Sequence, residues 1–397
     1  MKVFQINSVC GTGSTGRIVC DIKNMLEANK NECLIAYGRG YYDDSSCLKI
    51  ESDLVFKAHV FFSRITDRQG FYSTSATKRL VRSIEHFNPD IIHLHNLHGY
   101  YLDIRVLFEF LKKFNKPIVW TLHDCWAFTG HCAYFSYVNC DKWKTGCGQC
   151  PQKNAYPASL VLDDSKNSYA KKKSLFTGVK NINIVTPSHW LANMVNQSFL
   201  KDFSIRTIYN GLDLDVFKFI QNNFKEERNI AGKKMVLGVA NIWEKRKGLA
   251  DFIELSKILP DNYKIVLVGL SEKQINALPK NIIGISRTAN ITELVKIYSA
   301  ADVYVNTSVE ETMGLTTAEA LATGTPAVVY NATAVPEVVD EKSGVVVPAG
   351  NINELADAII NIKLNPEDCV ARAKVFEKNK QYEMYKKLYE EILNNGC

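Results

Sequence analysis

The chain has 397 residues, 46% of them hydrophobic and 23% charged, with a formal net charge of +6. That length divides naturally into two domains of roughly 200 residues each, and the mild positive charge suits anionic phosphate substrates or an acidic membrane surface without demanding nucleic acid. No apolar run approaches the ~20 residues of a spanning helix, and the opening Met1-Lys-Val-Phe-Gln-Ile-Asn7 turns polar too soon for a signal peptide. The expectation is therefore a cytoplasmic protein, in which eleven cysteines point to thiols or a metal rather than to disulfides.

The first half opens with a strand over Lys2–Asn7, a glycine-rich loop, a helix from Thr15 to Ala28 and a second strand over Cys33–Tyr37. Gly11-Thr-Gly13-Ser-Thr-Gly16, between the first strand and its helix, matches the dinucleotide fingerprint, with Arg17 just beyond. An NAD enzyme needs an acid at the end of the second strand to hold the ribose, but this strand ends Tyr37-Gly38-Arg39. An NAD(P)-dependent oxidoreductase using the Gly11–Gly16 loop stays as the rival reading. The narrower one is a loop whose backbone, at Gly13 and Gly16, lets a phosphate or sugar come close; a plain tight turn is the third. From Leu54 to Phe87 the chain is aromatic and basic (Phe56, Lys57, Phe61, Phe62, Arg64, Arg68, then Lys78, Arg79 and Arg82). Such a stretch forms either a lipid-facing surface or core helices with solvated arginines.

Further strands are expected at Asp90–His95, Pro117–His123 and Ile182–Pro187, with a helix over Leu102–Phe114 carrying Leu107, Phe110 and Leu111 on one face. Alternation puts His93 and His95 on the same face, where local hydrogen bonds rather than a metal are expected to satisfy them. His98-Gly99-Tyr100-Tyr101, at a strand's carboxyl end, is a candidate acceptor wall. A Cys-rich loop over 125–151 then holds Cys132, Cys140, Cys147 and Cys150. Cys147-Gly-Gln-Cys150 has the spacing of a metal knuckle, and four thiolates complete a tetrahedral zinc site that would pin a long connection. Free buried thiols and an iron–sulfur cluster are the other readings; Cys125 reads as strand-end packing.

The second half repeats the scheme, with strands at Lys234–Ala240, Lys264–Val268, Asn281–Ile285, Asp302–Asn306, Pro326–Tyr330 and Gly344–Val347, and a last helix over Asn379–Leu393. Strands alternating with helices imply parallel sheets covered on both faces. The expected fold class is α/β: two Rossmann-like, doubly wound parallel-sheet domains, 1–205 and 206–381, facing a cleft lined by strand carboxyl ends. Their seam falls near Ile205–Phe217, where Asn210-Gly211 signals a turn, and a helical tail over 382–397 is expected to pack back on the first domain. Arg246-Lys247-Gly248 follows the strand that ends at Ala240-Asn241 and opens a helix near Leu249, so two cations at a helix start make a diphosphate site. Glu311 and Glu319 stand eight positions apart around Gly314, between the strand Ala301–Asn306 and a helix stopped by Gly324 and Pro326. Free N–H groups at that helix start suit an anion, and Glu319, one turn in, can accept hydrogen bonds from the cis-diol of a ribose. A helix-dipole preference of both glutamates is the plainer alternative.

The glutamate pair, with Gly314-Leu315 and Gly324-Thr-Pro326, resembles the signature of retaining glycosyltransferases of family 4, which have the two-domain GT-B architecture. Asn210-Gly-Leu-Asp213 is similar to that family's Asn-Gly-Val-Asp segment, and Pro187-Ser188 resembles the segment before the last helix of its first domain. Asp90-Ile-Ile-His-Leu-His95-Asn-Leu-His98-Gly99 and Trp120-Thr-Leu-His123-Asp124-Cys-Trp126 resemble its capsule and colanic-acid branch. The resemblance implies that Glu319 holds the donor ribose and that Glu311 contacts the hydroxyls of the transferred sugar. It also implies that the backbone amides of Met313, Gly314 and Leu315 meet the diphosphate or sugar, that Arg246 and Lys247 neutralise the departing diphosphate, and that His123 reaches the donor sugar. One departure is Ala240-Asn241, where the family usually has Gly-Arg; Arg246 is the replacement cation. The implied reaction moves a sugar, with retention, from a nucleoside diphosphate sugar to a saccharide or polyprenyl-diphosphate-linked acceptor. Its implied place is surface polysaccharide assembly on the inner face of the cytoplasmic membrane, with peripheral membrane contact and no nucleic acid. No catalytic metal is expected if Arg246 and Lys247 do its work; Asp213-Leu-Asp215 imitates a metal-binding DxD but falls within the seam segment and is set aside. A non-catalytic zinc-containing binding protein is the third class.

Overall fold

The structure is a computed structural model that describes residues 1–394. The chain divides into two compact units: Met1–Tyr209 together with the stretch from Gln381 onward, and Asn210–Lys380. The first is built on a seven-stranded sheet of β1 (Lys2–Val9), β2 (Glu32–Arg39), β3 (Cys47–Lys49), β4 (Ile91–Leu94), β5 (Ile118–Thr121), β6 (Ile182–Thr186) and β7 (Ser204–Thr207), in spatial order 3-2-1-4-5-6-7. The second holds six strands, β8 (Lys234–Val239), β9 (Tyr263–Val268), β10 (Ile282–Ile285), β11 (Val303–Asn306), β12 (Ala327–Tyr330) and β13 (Gly344–Val347), in order 10-9-8-11-12-13. Every strand pair is parallel, which matches the expected α/β class of two doubly wound sheets.

The central strands form because they can be buried on both faces. β4 (Ile-Ile-His-Leu), β5, β11 and β12 are buried at every residue, and such continuous apolar runs belong to sheets sandwiched between helices. Two edge strands, β3 and β7, were not expected from the sequence. Both are short and only partly buried, so they lack the apolar run that reveals their neighbours.

In each unit the strand order reverses once, between β1 and β4 in the first and between β8 and β11 in the second. At such a switch point the loops leaving two adjacent strands diverge, and the crevice at their carboxyl ends is where doubly wound sheets bind ligands. The loops there contain Gly11–Gly16 and His95–Gly99 in one unit, and 241–248 and 307–314 in the other.

The last helix, Lys378–Asn394, carries its buried Tyr382, Tyr385, Leu388 and Tyr389 into the core of the first unit, against Val3, Ile22, Val119 and Val185. Tyr389 Oη bonds His93 Nδ1 at 2.7 Å and Tyr385 Oη bonds Thr121 Oγ1 at 3.1 Å. Residues 395–397, the end of the expected tail, lie outside the described residues.

Candidate active site

In the second unit two loops are stitched together at the β8/β11 switch point. Val309 donates its N–H to the Arg246 carbonyl (2.9 Å), and Thr307 Oγ1 donates to the Lys247 carbonyl (2.9 Å). The approach is so close that a Cβ on Gly248, itself at φ +74°, would lie 2.4 Å from Thr307 Oγ1 and 2.8 Å from its carbonyl oxygen. Only glycine fits there. The stitching sets Lys247 Nζ against Glu311 Oε1 in an ion pair, both side chains largely shielded from water. Arg246 places Nε on Glu244 Oε2 (2.8 Å) and Nη1 on the Glu310 carbonyl (3.0 Å).

The helix Leu315–Ala322 begins from Gly314, whose φ of +90° allows the abrupt turn out of the loop. Its first turn is anchored from β11: Tyr304 Oη donates to Thr316 Oγ1 (2.8 Å) and Asn306 Nδ2 to Thr317 Oγ1 (3.1 Å). Met313 is buried just before it, and the Asn210 N–H lies 3.2 Å from its sulfur. Glu319, one turn in, accepts from Tyr298 Oη at 2.8 Å. Tyr298 is fully buried and burial holds its hydroxyl protonated, so it keeps the hydrogen it donates to Glu319 and orients that side chain. Arg246, Lys247, Glu311, Met313, Gly314, Leu315 and Glu319 thus converge on one sheet edge. Asp213, in the set-aside DxD, caps the Asp215 and Val216 N–H groups and pairs with Lys378, as a turn residue does.

In the first unit the glycine loop is demanded by packing as well as by backbone conformation. A Cβ on Gly11 would lie 2.2 Å from the Tyr42 ring, whereas Gly13, at φ +65°, faces open space. Gly16 is buried against Val9 and the Cys10–Gly11 backbone, and its carbonyl accepts the Gly11 N–H. The helix begins at Gly13, two residues before the expected Thr15, because the loop's second half is already its first turn.

A chain of histidines occupies the β4 and β5 ends. Gln5 donates both Nε2 hydrogens, to the Val19 carbonyl and to Cys33 Sγ, so its Oε1 must accept from His95 Nε2 (3.0 Å). Burial drives the His95 pKa far down; with its one proton on Nε2, Nδ1 is an acceptor, and His123 Nε2 donates to it (3.1 Å). His123, also driven down by burial, to about 4, is then a neutral ring whose Nδ1 is an acceptor. His93 is held between Thr121 and Tyr389, so both strand histidines are satisfied locally, as expected. His98 pairs with Asp124 (2.6 Å) and meets Tyr156 Oη (3.1 Å). Burial opposes ionisation of Asp124, but His98 beside it wins and holds the carboxyl below its usual range. The roles of Gln5, Asp124 and Tyr156 were not visible in the sequence, because each partner is at least 26 residues away.

Cys132, Cys140, Cys147 and Cys150 line a single small cavity together with His131 and Trp143. Among the described residues, no three His, Cys, Asp or Glu side chains already stand as a metal-ligand group. Cys125 is buried in the first unit's core beside Trp126.

Residues 16–216 match the model of Glycosyltransferase Family 4 and residues 233–365 that of Glycosyl transferases group 1. WcaC of Escherichia coli (strain K12), a glycosyl transferase assigned to colanic acid biosynthesis, is 24% identical over 371 residues, covering 89% of each chain. The processive diacylglycerol alpha-glucosyltransferase of Acholeplasma laidlawii is 30% identical over 157 residues, 36% of this chain and 47% of that one. Among solved structures, Anabaena HepE in complex with UDP-glucose superposes with a TM-score of 0.66 at 15% identity, covering 98% of this chain and 100% of that one; the likeness is one of fold, the GT-B pair of Rossmann-like domains. None of these is an oxidoreductase, and the missing acid after β2 agrees. With the family's model spanning half of the chain, and the two glutamates set on the sheet edge where a doubly wound fold receives its ligand, the protein belongs to Glycosyltransferase Family 4 and is a glycosyltransferase.

Proposed function

We propose that the protein transfers a sugar, with retention, from a nucleoside diphosphate sugar to a saccharide or polyprenyl-diphosphate-linked acceptor in surface polysaccharide assembly. The observation that carries this reading is the Lys247–Glu311 pair at the β8/β11 switch point, with Glu319 on the helix that leaves the same loop. In this reading Glu319, oriented by Tyr298, accepts both ribose hydroxyls, and the amides of Met313, Gly314 and Leu315 with Arg246 and Lys247 receive the diphosphate. Glu311 holds the hydroxyls of the transferred sugar. As the anomeric carbon–oxygen bond breaks, the diphosphate gains charge. One of its oxygens takes the proton of the acceptor hydroxyl, which attacks from the same face. That route needs no protein nucleophile and gives retention. The UDP-glucose bound by HepE and the colanic-acid assignment of WcaC support the donor and the pathway.

Calorimetric titration with UDP and with GDP, wild type against Glu319→Ala, is the test. One nucleotide is expected to bind, and the substitution to weaken it by ~1–3 kcal/mol through loss of a charged hydrogen bond. Binding of neither nucleotide, or equal binding by the variant, would overturn the reading.

A lipid-linked acceptor also requires a place at the membrane, and the helix Asp53–Thr66 offers one. Leu54, Phe61 and Phe62 are exposed, at 78%, 60% and 49%, on a helix that also exposes Lys57 and Arg64. The neighbouring Leu160-Val161-Leu162 is exposed too and is hydrogen-bonded to the helix end through Arg64 and Ile65. Apolar side chains ringed by cations suit an anionic bilayer. The wild type is expected to sediment with vesicles containing anionic phospholipid and not with zwitterionic ones, and Phe61→Asp with Leu160→Asp to reduce binding at least about tenfold. Equal sedimentation of wild type and variant would remove this surface from the account.

A further inference from the structure

The cavity lined by the four cysteines of the first unit has a chemistry that the transferase reaction does not use. Cys132, Cys140, Cys147 and Cys150 line it together with His131, Lys142 and Trp143 among others. Two of the sulfurs already receive backbone N–H groups: Gly130 donates to Cys147 Sγ at 3.1 Å, and Gln152 donates to Cys150. Donation to Cys150 from the residue two positions on is the local geometry of a metal knuckle. A neutral thiol is a weak acceptor, whereas a metal-bound thiolate wants such donors.

The rest of the lining asks for an anionic, acceptor-rich centre. His131 Nε2 and Trp143 Nε1 are buried, and neither has a hydrogen-bond partner. Indole N–H can only donate. The other nitrogen of His131 is fixed by the buried Asp67 carboxylate, the carboxylate–imidazole arrangement common behind metal centres. Beneath lies Lys172, fully buried, with Nζ on the Trp126 and Thr129 carbonyls at 2.8 and 3.1 Å and 3.4 Å from the centroid of the Trp126 ring. The buried Trp143 N–H and His131 Nε2, both without a partner, therefore stand at a pocket lined by four sulfurs.

We propose that Cys132, Cys140, Cys147 and Cys150 bind one zinc ion as four thiolates, a structural centre that ties the segment 126–163 to the first sheet. The ion displaces the four thiol protons to solvent, and the resulting centre carries a net charge of −2, an acceptor-rich group for the buried N–H of Trp143. The sulfurs are not yet gathered around one point. Cys132 and Cys150 are already in hydrogen-bond contact, and metal binding would draw Cys140 and Cys147 from the same cavity wall to complete the set.

Elemental analysis of the full chain, purified without chelator, is expected to give one zinc per chain, released in step with the titration of four thiols by an organomercurial. Cobalt exchanged into the same protein should show the intense sulfur-to-cobalt absorption of tetrahedral thiolate coordination. Cys147→Ser with Cys150→Ser is expected to lower the zinc content at least about tenfold, and Cys125→Ser to leave it unchanged. Because the double variant is able to fail simply by unfolding, the cobalt spectrum of the wild type stands as an independent readout. Metal-free wild type with four freely reacting native thiols would overturn the proposal. So would bound iron with acid-labile sulfide, or a cobalt spectrum lacking thiolate character.

Discussion

Lys247→Ala is expected to lower kcat for transfer by ~10²–10³-fold, with the donor KM changed far less. The departing diphosphate gains negative charge as the sugar leaves, and a fixed ammonium aimed at that oxygen helps the transition state more than the ground state. Loss of one such donor costs ~3–4 kcal/mol. The backbone of Lys247 is stitched to the β11 loop through Thr307, which fixes where its side chain starts. Its present partner, Glu311, is the residue assigned to the sugar hydroxyls. Donor entry would therefore exchange one ion pair for two new contacts. The measurement is steady-state kinetics with the donor whose nucleotide the calorimetry selects, alongside a thermal melt showing that the variant is folded. An unchanged kcat would assign Lys247 to holding the loop. A rise in KM alone would mean that it contributes uniform binding and not catalysis.

The first unit is expected to lose stability steeply as the pH falls below about 6.5, the ordinary histidine value. His59, His93, His95 and His123 are buried, and burial depresses every one of their pKa values, to about 3 for His59 and about 4 for His123. With the folded pKa below the unfolded one, the unfolded chain takes up protons that the folded chain refuses. The stability these rings allow is complete above the unfolded pKa and drains away as the pH drops toward the folded values. His131 has the opposite sign. Burial would lower it, but Asp67 raises it, so its contribution is present at low pH and lost on going up. The net uptake of about three protons corresponds to on the order of 4 kcal/mol per pH unit between pH 6 and 5. Urea unfolding at pH 7, 6 and 5, followed by a probe in the first unit, measures it; a flat profile would show that these rings protonate without unfolding.

What the sequence revealed follows from what the physics makes local. β1, β4, β5, β8, β11 and β12 announce themselves because a strand covered on both faces must be apolar at most positions, a property confined to four to eight consecutive residues. The Lys247–Glu311 corner was readable for a related reason. Glycines at positive φ and charges at helix starts mark where a loop turns back on a sheet, and Gly248 and Gly314 sit at those turns. β3 and β7 escaped because an edge strand, half in water, has no such compositional demand. The Gln5–His95–His123 chain escaped for another reason. Gln5 and His95 are 90 residues apart and meet only because β1 and β4 are neighbours, and nothing in the spacing of a glutamine and two histidines encodes that adjacency. Lys172 reads in the sequence as one more lysine of a basic helix, yet it is among the most buried side chains of the unit.

The return of the helix Lys378–Asn394 to the first unit bears on how the chain is made. Val3, Val119 and Val185 face the tyrosines of that helix, and the His93 ring depends on Tyr389 for one of its two bonds. As the protein leaves the ribosome, the first seven strands emerge more than a hundred and fifty residues ahead of the helix that closes them. The amino-terminal unit must therefore wait, with apolar sheet surface uncovered, while the whole carboxy-terminal unit is synthesised. Nascent chains stalled before residue 381 should be held by chaperones and open to proteases, and synthesis of the helix Lys378–Asn394 is what releases them.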